Sequence, residues 1–284
     1  MQVYLNGSII SSEAATIPVN DRGFIFGDGV YEVVRSIDGR LFREESHLSR
    51  LKQGMDDLQI SLPAGELDRL PQISRDLLRE NSLNKGEATI YIQITRGSAA
   101  QRTHTFPRPA VHPTVYLSAA PFRPHTGLHE KGVDVITISD LRWARCNLKT
   151  VNLLPNVLAR QQAFDAGVNS AVMIRDGMVT ESPNANIFGV KDGTLYTFPE
   201  SSYILRGITR QVIFEIADNM DIPVETVPVH ENELPLIDEL FFTGTTTDIQ
   251  PVVEIDGNPV GEGRPGPVVR RIQEAYKKKL YGKR

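Results

Sequence analysis

The sequence predicts an α+β protein of two domains. Three observations carry this expectation. Asp-Gly or Asn-Gly pairs separate alternating apolar runs in both halves, stretches of helical periodicity fill the gaps between them, and a segment rich in proline and charge from Phe122 to Gly132 divides the chain. At 284 residues the chain is about twice a typical domain. Hairpins mixed with helices, instead of a regular strand-helix-strand alternation, argue against a Rossmann sheet. The expected layout is an N-terminal α/β domain over 1–121, an exposed linker over 122–132 and a C-terminal α/β domain over 133–284.

The elements follow in chain order. A tight hairpin turn needs positive φ at both central residues, which Asn-Gly and Asp-Gly accept. Residues 3–5 therefore turn at Asn6-Gly7 into Ile9-Ile10, and residues 30–34 turn at Asp38-Gly39 into Leu41-Phe42. A helix over 47–58 places Leu48, Leu51, Met55 and Leu58 on one face. A second over 66–80 does the same with Leu67, Leu70, Leu77 and Leu78, with Pro71 expected to kink or divide it. Strands follow at 89–95 and 115–119. Beyond the linker, a helix over 155–166 starts on a proline and stops at Gly167. Three hairpins turn at Asp176-Gly177, Asp192-Gly193 and Asp256-Gly257, and helices are expected at 207–219 and 267–280.

Composition excludes several function classes. Lys and Arg number 31 against 35 Asp and Glu, a net charge of −4, without the clustered basic excess that phosphate-backbone binding needs. One cysteine, Cys146, leaves no internal disulfide framework and fits a reducing compartment. The longest stretch free of charged residues runs over 109–122, 14 residues with three prolines, and cannot cross a bilayer as a helix. Met1-Gln2-Val3-Tyr4 does not open a basic-then-apolar leader. The expectation is a soluble cytoplasmic protein with neither nucleic-acid nor membrane partners.

Several residues could carry chemistry. Lys149 is the only charged residue between Arg145 and Arg160. Apolar surroundings disfavour an ammonium, and a neutral amine can form a Schiff base; a snorkelling lysine with its head in water is the plain alternative. Glu181 closes the strand 178–180 and precedes an uncharged run over 182–190. A carboxylate so placed needs a cationic or donor partner, whether a pyridinium nitrogen, an arginine or a helix N-terminus. Gly207-Ile208-Thr209 opens a helix, a position that favours phosphate. Thr243-Gly244-Thr245-Thr246-Thr247 gathers hydroxyls into one loop, and Arg50 could close such a site with a forked contact. The glycine-rich run 23–29 lacks the phosphate-loop lysine and precedes a strand, so it is not read as a nucleotide loop. His125 and His129 stand four apart, but Pro124 and Gly127 argue against a helix presenting them, and no metal site is expected. Lys277-Lys278-Lys279 reads as a solvated helix end.

Taken together, these motifs resemble one family. Asp21-Arg22-Gly23, Phe26-Gly27-Asp28-Gly29-Val30-Tyr31-Glu32, His47-Leu48-Ser49-Arg50-Leu51, Thr95-Arg96-Gly97, Arg102-Thr103-His104, Lys149-Thr150-Val151-Asn152-Leu153-Leu154, Thr180-Glu181, Asn186-Ile187-Phe188, Leu205-Arg206-Gly207-Ile208-Thr209-Arg210 and Thr245-Thr246 stand in order over nearly the whole chain. In that order they are similar to the fold-type IV pyridoxal-phosphate transaminases, within which the D-amino acid branch matches best. The resemblance implies a two-domain fold shared with D-amino acid and branched-chain aminotransferases, with pyridoxal 5′-phosphate between the domains. It implies that Lys149 is the Schiff-base lysine and catalytic base, and that Glu181 partners the pyridine nitrogen. Arg50, the amides of Ile208 and Thr209, and Thr245 would hold the phosphate. Tyr31, Arg102 and His104 would clamp the substrate carboxylate, the last two reaching in from the neighbouring subunit of a homodimer. The implied reaction is a ping-pong transfer of the amino group of a D-amino acid such as D-alanine to 2-oxoglutarate or pyruvate. Two departures stand out: Gly244 where D-specific relatives usually carry a hydroxyl, and Ser182-Pro183-Asn184-Ala185-Asn186 in place of a serine run. Alternatives of the same fold are a branched-chain L-amino acid transaminase and a 4-amino-4-deoxychorismate lyase; outside it, a non-catalytic binder of phosphate ligands.

Overall fold

The computed structural model describes residues 1–282. They form two units: Met1–Arg123 with Leu148–Asn152, and Pro124–Asn147 with the described chain from Leu153 onward.

Unit one contains β1 (Gln2–Leu5), β2 (Ser8–Ser11), α1 (Arg22–Phe26), β3 (Gly29–Ile37), β4 (Arg40–Leu41), α2 (Glu44–Asp57), α3 (Glu66–Glu80), β5 (Glu87–Thr95) and β6 (Thr114–Pro121). The strands make one sheet in the order β2-β1-β6-β5-β3-β4, antiparallel throughout. Both expected hairpins form, with positive φ at Asn6 and Gly7 and again at Asp38 and Gly39. Alternation sorts the two sheet faces. Ile90, Ile92 and Ile94 of β5 are buried in a core with Leu51, Met55, Leu70, Leu77 and Leu78 from the helices. Each such side chain contributes about 1.5–3 kcal/mol on burial. On the other face Tyr31, Gln93 and Tyr116 form a row across β3, β5 and β6.

Helix α3 runs unbroken through Pro71. That proline removes a single backbone donor near the start of the helix, while Leu70, Ile73, Leu77 and Leu78 still bury one face. Burial of the apolar stripe outweighs the missing bond, so Pro71 does not divide the helix.

Unit two contains α4 (Thr126–Lys131), β7 (Val133–Ser139), α5 (Leu154–Asp165), β8 (Ser170–Arg175), β9 (Met178–Val179), β10 (Asn186–Lys191), β11 (Thr194–Tyr196), α6 (Ile208–Asn219), β12 (Val224–Glu225), β13 (Glu239–Gly244), β14 (Asp248–Ile255), β15 (Asn258–Pro259) and α7 (Pro267–Tyr281). Its sheet runs β12-β11-β10-β13-β14-β7-β8-β9, with β15 paired to β14. Phe188 of β10 stacks on Phe241 of β13 with ring centroids 5.3 Å apart, and Phe214 of α6 meets Phe188 edge-on.

Three local expectations are corrected. The segment expected as an exposed crossover contains α4, so His129 does lie on a helix, with His125 at its N-cap. Gly127 sits in the first turn, where its flexibility costs least, and His129 bonds through Nε2 to the Thr247 carbonyl. Thr243 and Gly244 are not loop residues; they end β13, and only the following threonines turn into β14. Strands β7 and β13 carry no turn signal in the sequence. β7 pairs in parallel with both β8 and β14, and its connection to β8 runs through α5, one strand-helix-strand unit within the α+β pattern.

Candidate active site

In unit one, residues 148–152 dock on β3. β4 covers only the Ser36–Ile37 end of that strand, which leaves the backbone near Tyr31 open on that side. Tyr31 N donates to the Lys149 carbonyl at 3.0 Å, Val151 N donates to the Gly29 carbonyl at 3.1 Å, and Val30 bridges Thr150. Lys149 is thereby fixed through its main chain, and its Nζ lies 4.3 Å from the centroid of the Tyr31 ring. Among the described residues that amine has no hydrogen bond and no carboxylate partner. Asn152 finishes the segment by donating from Nδ2 to the Gly27 carbonyl. A Cβ at Gly27 would sit 2.3 Å from Asn152 Oδ1, so this approach, together with a φ of +67°, requires glycine.

Glu32 points to the opposite face of β3 and is fully buried. His47 Nδ1 donates to its Oε2 at 2.8 Å. Arg50 forks onto it, Nε to Oε1 at 2.6 Å and Nη2 to Oε2 at 2.8 Å. His47 and Arg50 stand three apart on one face of α2, which is why a single carboxylate takes both. Burial works to raise the Glu32 carboxyl, but the Arg50 charge and the hydrogen bonds from Arg50 and His47 outweigh it and hold the group well below the usual carboxylate range. Burial pushes the His47 imidazole down despite the Glu32 carboxylate beside it. Arg50, expected at a phosphate, thus has its guanidinium plane set by Glu32.

Arg102 and His104 are exposed and gather on Phe26. The His104 ring lies 5.5 Å from the Phe26 ring, and the Arg102 guanidinium lies 4.9 Å from its centroid. Between them, the Thr103 carbonyl accepts from Arg22 Nη1 at 2.7 Å, and Arg22 is paired with Asp28. Among the described residues no hydrogen bond, ion pair or ring contact joins Arg102 or His104 to Tyr31 or Lys149.

In unit two Glu181 is buried, 4% exposed, and among the described residues its carboxylate is held by three donors. Asn186 Nδ2 donates to Oε1 at 2.6 Å and the Leu205 amide to the same oxygen at 2.8 Å, while Arg142 Nη1 donates to Oε2. Of the partners open to this carboxylate from the sequence, an arginine is therefore present. Burial pushes the Glu181 carboxyl up, against the pull of Arg142 and the Leu205 amide. Arg142 is itself paired with Asp140, Nη2 to Oδ2 at 2.8 Å, and Asp140 is bound by Arg175 and Thr180. Burial favours a neutral Arg142, yet the two carboxylates raise its pKa further above the ordinary arginine value.

Asn186 connects Glu181 to the start of α6. Its Nδ2 also donates to the Leu205 carbonyl at 2.9 Å, and it pairs with Thr243 across β10 and β13. α6 begins at Gly207 with no side-chain cap, so the amides of Ile208 and Thr209, both buried residues, face no protein acceptor from the cap position. Thr245 is half-buried just past β13.

Glu32, His47, Asp140, Arg142 and Asn186 were not singled out as site residues by sequence reasoning. Glu32 had a signal: it shares strand parity with Val30 and Val34, and a carboxylate on a core-facing position needs cations. Arg142 had none, because its carboxylate partner lies 39 positions away.

The chain is 40% identical over 278 residues to a D-alanine aminotransferase of Staphylococcus haemolyticus, covering 98% of this chain and 97% of that one. It is 35% identical over 280 residues to a D-alanine aminotransferase of Bacillus licheniformis, covering 99% and 97%. Among solved structures, a branched-chain amino acid aminotransferase of Escherichia coli superposes with a TM-score of 0.90 at 30% identity, covering 97% of this chain and 93% of that one. A T.th. branched-chain amino acid aminotransferase, complexed with N-(5′-phosphopyridoxyl)-L-glutamate, superposes with a TM-score of 0.90 at 28% identity over 100% and 95%. Residues 29–255 match the family described as amino-transferase class IV. With the match covering most of its length, the chain belongs to the class IV aminotransferases.

Proposed function

We propose that this protein is a pyridoxal 5′-phosphate-dependent transaminase that moves the amino group of a D-amino acid, D-alanine among them, to 2-oxoglutarate or pyruvate. The placement of Lys149 carries the reading: its main chain is clamped to β3 and its amine faces the Tyr31 ring without a carboxylate to neutralise it. The D-alanine aminotransferases at 35–40% identity favour the D-branch.

The residues present fit the cofactor. A carboxylate accepts about four hydrogen bonds. Glu181 takes three from protein, which leaves Oε2 room for one more donor, as a protonated ring nitrogen requires. The uncapped start of α6 offers buried amides and the positive helix end to a phosphate. A Cβ at Gly207 would lie 1.9 Å from Asn186 Oδ1, so any larger residue would displace the side chain that holds Glu181.

Arg50, the Ile208 and Thr209 amides, and Thr245 would hold the phosphate, with Glu32 setting the Arg50 guanidinium. When bound, the cofactor supplies an electron sink for the pair released at the substrate Cα. Lys149 would hold the cofactor through its amine, and the same amine would serve as the base that moves a proton at the substrate Cα. Tyr31, with Arg102 and His104 of a second copy, would grip the substrate carboxylate by charge-assisted bonds, and the direction from which they hold it would select the D-isomer. A homodimer accords with the exposed Leu154, Val157 and Leu158 of α5, apolar surface that a second copy would cover.

Borohydride reduction of the holoprotein should fix the phosphopyridoxyl group to Lys149, and Lys149→Ala should carry none. Supplied with D- or L-alanine and 2-oxoglutarate, the enzyme should form pyruvate from the D-isomer. Product from the L-isomer alone, or from L-leucine in its place, would assign the chain to the branched-chain reaction.

A further inference from the structure

The Asp140–Arg142–Glu181 chain lies behind the carboxylate assigned to the ring nitrogen, and nothing in the proposed reaction uses it. We propose that Arg142 is a positioning residue which, by sharing Glu181 Oε2 with the cofactor nitrogen, keeps Glu181 ionised and the proton of that pair on the nitrogen. This rests on the reading of Glu181 as the partner of the pyridine ring.

The geometry is specific about which oxygen is shared. Asn186 and the Leu205 amide both occupy Oε1, whereas among the described residues Oε2 receives only Arg142. A carboxylate this buried favours its protonated form unless a cation faces it. Arg142 is that cation, with its side chain only 7% exposed. Asp140 holds the other edge of the guanidinium through Nε and Nη2. Arg175 and Thr180 in turn fix Asp140, so the Arg142 head cannot swing to solvent without breaking several bonds. The remaining titratable neighbours do not replace it. Cys146 is buried and its thiol is pushed up by burial, so it adds no charge, and Arg210 is committed to Glu200 and the Phe198 carbonyl. Removing the Arg142 charge makes Glu181 a stronger base. The shared proton then moves from the nitrogen to the carboxyl, and the ring loses pull on the Cα electrons.

The test is the nitrogen-15 chemical shift of ring-labelled cofactor in the holoenzyme, measured for wild type, Arg142→Met and Arg142→Lys. Wild type should give the shift of a protonated ring nitrogen, R142M should move toward the neutral value, and R142K should lie between. In parallel kcat should fall roughly tenfold to a hundredfold in R142M, the scale of one charge-assisted hydrogen bond, with KM changed by less than about threefold. A merely structural role would not move the nitrogen shift. If R142M does not fold, R142K decides alone, since it keeps a charge but cannot span both carboxylates: an intermediate shift supports the role and a wild-type shift overturns it. A Lys149 adduct in wild type together with unchanged shifts in the variants overturns this inference alone. Absence of that adduct overturns the reading of the site and the inference with it.

Discussion

At the residue scale, each unit buries a carboxylate that is defined by the cation it meets, Glu32 by Arg50 and Glu181 by Arg142. Glu32 balances Arg50 with help from His47, and a neutral glutamine in its place would leave the guanidinium without its counter-charge in a buried setting. Glu32→Gln should therefore cost on the order of 3–5 kcal/mol, read from denaturant unfolding of the two proteins. The same cluster sets an acid limit. The Glu32 carboxyl is depressed in the folded state, so its contribution is complete above the ordinary carboxylate range and is lost as pH falls below it. His47 is also depressed, which means the unfolded chain binds its proton more readily, and stability starts to fall below about pH 6.5. Melting temperature should thus decline from pH 7 to pH 5 and more steeply below, and His47→Gln should flatten the first part. A melting temperature independent of pH over that span would contradict the assignment.

At the element scale, the start of α6 matters most. Gly207 serves as N-cap without a side chain and lets Asn186 pass close by, and Asn186 in turn holds Glu181. Gly207→Ala would push a methyl into Asn186 Oδ1 and disturb two proposed cofactor contacts through one atom. Its affinity for pyridoxal 5′-phosphate, followed by titrating apoprotein with cofactor, should drop roughly tenfold or more, the equivalent of one lost hydrogen bond. Unchanged binding would separate this turn from the cofactor. Elements with strictly local causes were legible beforehand. The five Asx-Gly hairpins form where the dipeptides stand, with positive φ at Asn6, Asp38, Asp176, Asp192 and Asp256, and α3 begins and ends where its periodicity does. β7 and β13 were not legible, because a short apolar run bounded by no turn signal is ambiguous between strand and helix until a neighbour pairs with it.

At the scale of the whole molecule, the proposed homodimer makes one prediction that a monomeric enzyme cannot imitate. If Arg102 of one copy serves the site that contains Lys149 of the other, Lys149→Ala and Arg102→Ala chains are each impaired for different sites. Mixed under conditions that exchange subunits, they should regain part of the D-alanine turnover, because each hybrid dimer contains one site with both residues intact. No recovery, with hybrids verified by mass, would place Arg102 in its own subunit's site or outside the clamp.

By itself the sequence determined most of the local structure and the family, and it named candidate reactive groups: the hairpin positions, most of the longer helices and the family motifs around Lys149 and Glu181. These depend on neighbours within a few positions, or on residue types that no other chemistry would order in that way. Only the tertiary structure decided which charges meet. Arg142 reaches Glu181 across 39 positions and Arg50 reaches Glu32 across 18, and the short segment around Lys149 leaves its chain neighbours to pair with β3. The physical reason is common to all three: a buried charge or an open strand edge states what it lacks, and only the folded chain supplies the partner.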